Sequence, residues 1–244
     1  MINSIFRARF FVKFLRRNVF FLQTLLCANL SFFFILVQNS SENIVERRQI
    51  WLSASLFSMV TFTTIACGMM RYFKMLNILE QHLYCSLGFR KALMPFIIST
   101  STFSLISIPL DFVLQEFFIH NYLFKSSFLF IFPLYFLGCI SLVSVLLPAF
   151  YLLNKSRYLE TLLIFPFIYI SGLLGNNFPN PISQLLQLYP LYSASKLLFS
   201  NYLYQGQFAT MIFVNVLGIS LFFTIGMVLL SRVKSNENSV FKNG

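Results

Sequence analysis

The 244 residues predict an all-α polytopic membrane protein: six transmembrane helices, an N-terminal interfacial amphipathic helix, and an outer helical hairpin, re-entrant or interfacial, before the last span. Three observations carry this. Hydrophobic residues form 57% of the chain and charged residues only 10%, where a soluble domain carries roughly 25% charged. Apolar runs near the bilayer-spanning length of about 20 residues recur along the chain. Lysine and arginine gather between alternate runs, as they do on the cytoplasmic side of membrane spans. A mean hydropathy of +0.75 and 33 phenylalanines exclude a soluble fold of this size and intrinsic disorder alike.

In chain order, residues 1–18 come first. On a helix, Arg9, Lys13, Arg16 and Arg17 share one side, and Phe10, Phe11, Phe14 and Leu15 the other. Such a segment lies flat among lipid headgroups; the plainer alternative is an ordinary basic flank. Spans are expected at 19–37, 50–70, 92–111, 127–153, 159–174 and 208–231, with a tail at 232–244, all in a single transmembrane domain. The third is expected to reach the far interface near Asp111. The fifth is short, so the chain after it is expected to dip partly into the bilayer. With the N-terminus inside, only Arg47, Arg48, Lys125 and Lys196 of the 18 basic residues fall outside. Both termini are therefore expected in the cytoplasm of a bacterial (inner) membrane protein. The start does not read as a signal peptide, because its basic segment is too long and no small-residue cleavage site follows.

The net charge of +11 belongs to these flanks and not to a nucleic-acid surface. Cys27, Cys67 and Cys139 fall within spans and Cys85 in an inner loop, which argues against a disulfide. His82 and His120 lie on opposite sides, and without a Cys-x-x-Cys or histidine cluster no metal site is expected. No phosphate-cradling loop, nucleophile elbow or carboxylate pair is present, so neither cofactor nor catalysis is expected. Glu160 reads as an interface residue beside Arg157. Asp111, beside Pro109, reads as a lone carboxylate at the outer end of the third span, a thin basis for ion-driven transport. Hydroxyls are densest in the second and third spans, where Thr61, Thr64, Ser101 and Ser104 could line a pathway. They could equally pack helices together and bond their own preceding carbonyls.

Two loops hold the remaining information. Between the second and third spans, Leu76, Leu79 and Leu83 share one face of a cytoplasmic amphipathic helix that also carries Glu80. It could lie on the membrane or dock into a partner's groove. After the fifth span, Asn180 and Pro181 favour a helix start, and Pro190 breaks that helix so that a second can follow. Aromatics Phe178, Tyr189, Tyr192, Tyr202 and Tyr204 suit an outer interface.

Leu79-Glu80-Gln81 resembles the Leu-Glu-Gln of a Gly-Thr-Leu-Glu-Gln loop in the membrane subunits of type-two ABC exporters. Ile170-Ser171-Gly172, Phe178-Pro179 and Tyr189-Pro190-Leu191 are similar to the Ser-Gly…Pro…Asn-Pro-Leu series after that family's fifth span. The flat N-terminal helix, six spans and cytoplasmic termini match as well. Asn77 and Ile78 stand where the family has Gly and Thr, Ser86 where Pro is frequent, and the usual preceding acids are absent. The resemblance implies a permease subunit that hydrolyses nothing, works with a second copy or paralogue, and receives a separate ABC ATPase (nucleotide-binding) subunit. It implies that Leu76, Leu79, Glu80, Gln81 and Leu83 couple ATPase closure to the spans, and that Phe178, Pro179, Tyr189, Pro190 and Leu191 form part of an outer gate. The cargo would be amphiphilic or lipid-like. Two alternatives share these features: a haem-exporter permease of cytochrome c maturation, whose loop also carries Leu-Glu, and a membrane scaffold or immunity protein that transports nothing.

Overall fold

The computed structural model describes residues 11–13, 16–17, 19–39, 49–75, 89–120, 124, 128–152, 166–173, 178–199 and 205–242. Among these there is no strand. The helices are α1 (Val19–Asn39), α2 (Ile50–Met75), α3 (Phe89–Ser104), α4 (Ser107–Ile119), α5 (Phe128–Leu152), α6 (Asn180–Leu186), α7 (Pro190–Phe199) and α8 (Gln205–Lys242). Residues 166–170 are also helical.

Among the described residues, three stretches are long and apolar enough to cross a membrane: Met94–Ile119, Phe128–Ala149 and Gln207–Ser231. Leu26–Gln38 within α1 and Ile50–Thr64 within α2 are shorter apolar stretches. Continuous helix is the economical solution in lipid, because it satisfies every backbone N–H and carbonyl within the segment.

The third expected span differs from its sequence reading in two ways. It does not end at Asp111 but runs eight residues further to Ile119. It is also broken: Leu105 and Ile106 form a turn between α3 and α4, closed by Leu105 N–H to the Thr102 carbonyl and Ile106 N–H to the Phe103 carbonyl, both 3.2 Å. α4 stops at His120, which adopts a left-handed conformation (φ 53°) and returns its N–H to the Gln115 carbonyl, a common helix end. The last helix continues beyond the expected boundary at Ser231 to Lys242.

α5 is the centre of the bundle, packed by α2, α3, α7 and α8. α2 also packs against α1, α3 and α4. Aromatic rings fill the seams. Trp51 is ringed by Phe112, Phe128 and Phe132 at centroid distances of 5.6, 6.1 and 6.1 Å, and Phe32 stacks on Phe57 at 3.8 Å. Phe11, from the N-terminal segment, is buried with its ring edge against Phe96 at 5.2 Å, while Lys13, Arg16 and Arg17 are exposed. That sidedness is the one expected of an amphipathic segment. By contrast Phe213, Val216, Leu217, Leu221, Ile225 and Val228 make an exposed apolar stripe along α8, the surface a lipid-immersed helix offers to acyl chains.

Candidate functional site

Two unequal helices precede α8. α6 begins after Pro179, with Pro181 in its first turn, where a missing N–H costs nothing. Pro179, Pro181, Ile182, Gln184 and Leu185 are exposed. A turn at Gln187, Leu188 and Tyr189 follows, in which Gln187 keeps helical backbone angles, and helix resumes at Pro190. α7 is buried almost throughout, from Pro190 to Ser195 and again at Leu197 and Leu198. It packs on α5 and α8.

The turn bonds its own backbone, with Gln187, Leu188 and Tyr189 N–H donating to the Gln184, Leu185 and Leu186 carbonyls, and side chains of the surrounding protein tie α7 in place beside it. Asn215 of α8 donates both amide hydrogens, to the Pro190 carbonyl and to Ser193 Oγ, each at 2.6 Å. Tyr189 OH reaches the Phe167 carbonyl at 3.2 Å, and Ser195 Oγ the Ser171 carbonyl at 2.6 Å. Two glycines make the close approach possible. A Cβ on Gly138 would meet Leu191 Cδ2 at 3.2 Å, and one on Gly218 would collide with the Leu188 carbonyl oxygen. Of the five residues expected at an outer gate, Tyr189, Pro190 and Leu191 are buried at this seam; Phe178 is half-buried, edge-on to Tyr192 at 6.1 Å, and Pro179 is exposed.

A second polar cluster joins α1, α2 and α4. Asn29 Nδ2 donates to Ser58 Oγ at 2.7 Å and to Asp111 Oδ2 at 2.8 Å. The single hydroxyl hydrogen of Ser55 is shared between Asp111 Oδ2 at 3.0 Å and the Trp51 carbonyl at 2.7 Å. Gln115, one turn beyond Asp111, accepts the Trp51 backbone N–H at 3.2 Å and so satisfies a donor orphaned at the start of α2. Asn29, Ser55, Ser107, Asp111 and Gln115 are all fully buried. Asn29 lies midway along α1, about 15 Å from either end at the helical rise of 1.5 Å per residue. Asp111 is thus an interior group bound to the middle of α1, and not the interfacial carboxylate its place beside Pro109 predicts.

The remaining expected residues divide cleanly. Leu76, Leu79, Glu80, Gln81 and Leu83 lie outside the described residues. Thr61, Thr64 and Ser104 direct their hydroxyls to the carbonyls of Phe57, Thr61 and Ser101 within their own helices, at 2.7, 2.8 and 2.6 Å. Ser101 is buried with its hydroxyl unpartnered. Among the described residues, no group of three or more His, Cys, Asp or Glu could hold a metal ion.

Asn29, Ser55, Ser58, Gln115 and Asn215 are the functional candidates that sequence reasoning passed over. A signal for two of them exists: a carboxamide in the middle of an apolar span is costly without a partner, and Asn29 and Asn215 both stand there. The chain matches no known family model, no curated protein and no solved structure.

Proposed function

We propose that the chain is the membrane-spanning permease subunit of an ATP-driven exporter, moving an amphiphilic or lipid-like cargo outward with a separate ATPase and a second permease copy or paralogue. The observation that carries this reading is the half-helix α7. It sits buried against α5 and α8 behind a turn, held by a few side-chain hydrogen bonds. An element pinned by so few side-chain bonds can be docked or released at small cost, and a gate needs such a choice. The sequence likeness at Ser171-Gly172, Phe178-Pro179 and Tyr189-Pro190-Leu191 supports the same assignment.

In this reading the loop bearing Leu79 and Leu83 receives the ATPase. Nucleotide-driven closure shifts the relative stability of inward- and outward-facing arrangements, which is all that coupling between two sites can do. Six spans with both termini in the cytoplasm belong to the proposal. The test is purification of the tagged chain from native membranes in mild detergent. A Walker-motif ATPase at stoichiometric yield is the expected companion. A chain that purifies without one is a scaffold or immunity protein, and the proposal fails.

A further inference from the structure

Aspartate occurs once in the 244 residues, at position 111, and its carboxyl group is wholly enclosed. Oδ2 accepts two hydrogen bonds, from Asn29 and Ser55; Oδ1 accepts none. Asn29 spends both amide hydrogens, on Ser58 Oγ and on Asp111 Oδ2, while its own Oδ1 is also without a partner. The two unpartnered oxygens therefore belong to two planar groups already joined by one hydrogen bond, from Asn29 Nδ2 to Asp111 Oδ2. Both are acceptors, and two acceptors cannot satisfy each other. One hydrogen on Asp111 Oδ1, directed at Asn29 Oδ1, would complete the paired ring of a carboxylic acid and a carboxamide.

We propose that Asp111 and Asn29 form a binding site for one proton, held between Asp111 Oδ1 and Asn29 Oδ1, and that its occupancy fastens α4 to α1 and α2. On binding, one O–H bond forms at Oδ1. The proton comes from water and returns to water, and no electrons are exchanged. The neighbouring elements offer no charge to take its place. α1 has no Lys, Arg, His, Asp or Glu, and its Cys27 is exposed. The titratable residues of α2 are Cys67, Arg71, Tyr72 and Lys74, at least 12 residues or about 18 Å beyond Ser55. On α4, Glu116 is exposed, as is His120 just past its end, and Arg90 and Lys91 lie at the opposite end of α3. A metal cation suits the cluster less well. It would need several converging oxygens, and the Asn29 amide nitrogen, a donor, lies between Ser58 and Asp111. Because the site is closed to solvent, exchange of the proton requires α4 to part from α1 and α2. Occupancy and helix movement are therefore linked.

The proposal does not rest on the permease reading, and its tests need only this chain. Labelling aspartate with carboxyl ¹³C places the isotope on Asp111 alone, so solid-state NMR in lipid bilayers reads that one group without mutation. The expected signal at neutral pH is that of a protonated acid, unmoved when sodium replaces potassium. A carboxylate signal, or one that moves with sodium, overturns the proposal. Asp111→Asn supplies the missing donor permanently, so it should retain wild-type thermal stability, whereas Asp111→Leu should lose it. If Asp111→Asn melts as early as Asp111→Leu, the shared-proton geometry is wrong.

Discussion

Replacing Asn215 with leucine tests whether the α7 turn is held by the hydrogen bonds seen there. Leucine keeps asparagine's branching and heavy-atom count but is bulkier, so the change removes donors without opening a cavity. Lost at once are the 2.6 Å bonds to the Pro190 carbonyl and to Ser193 Oγ. Hydrogen bonds between membrane helices contribute about 0.6 kcal/mol on average and up to about 1.7. Two of them give a loss of about 1–3 kcal/mol, a roughly 5- to 150-fold shift toward the undocked or unfolded state. The loss should also be local, since only the seam between α7 and α8 is touched. Hydrogen exchange by mass spectrometry in lipid nanodiscs reads both quantities: the amides of 191–199 should exchange faster by that factor, and those of α5 should not. Unchanged exchange across 191–199 would refute the idea that Asn215 holds the turn. Uniform acceleration throughout the bundle would show general destabilisation instead.

Three further outcomes are expected. Gly226→Ala should destabilise the protein by about 1–3 kcal/mol, an overpacking cost, because its Cβ would lie 2.6 Å from Ser144 Oγ and 2.7 Å from the Ser144 carbonyl oxygen. Helix propensity alone predicts a gain of about 1 kcal/mol, so the sign of a reversible unfolding measurement decides between them. Leu79→Asp or Leu83→Asp should abolish cargo-stimulated ATP hydrolysis in the reconstituted complex while leaving membrane insertion intact; unchanged coupling in both would remove the docking role of that loop. Asn180→Cys, in a background free of the four native cysteines, should react with an impermeant thiol reagent from outside only, and labelling from the cytoplasm would overturn the six-span topology.

The two short helices before α8 were legible because their punctuation is local. Proline at the start of α6 and at Pro190 restricts only its own neighbourhood, so the two helices begin where the residues say they should. The membrane class was legible for a similar reason, being a property of summed composition. The break at Leu105–Ile106 and the extension of α4 to Ile119 were not. Apolar residues continue through both places, and hydropathy does not distinguish a turn from a helix when both are equally apolar. The polar cluster escaped because its members come from three helices, with 82 positions between Asn29 and Asp111. Each looks isolated on its own segment. Only the packing of α4 against α1 and α2 turns a supposed interfacial acid into an interior one.

The central claim is that this bundle is moved by energy released in another molecule. It is tested most directly by spin labels at two exposed positions, Leu185→Cys on α6 and Phe117→Cys on α4, with their separation measured by electron resonance in lipid bilayers. The account predicts a distance change only when the co-purified ATPase and ATP are both present, reversed when nucleotide is removed. A change of the same size in the chain alone, or none with ATPase and ATP together, would contradict it.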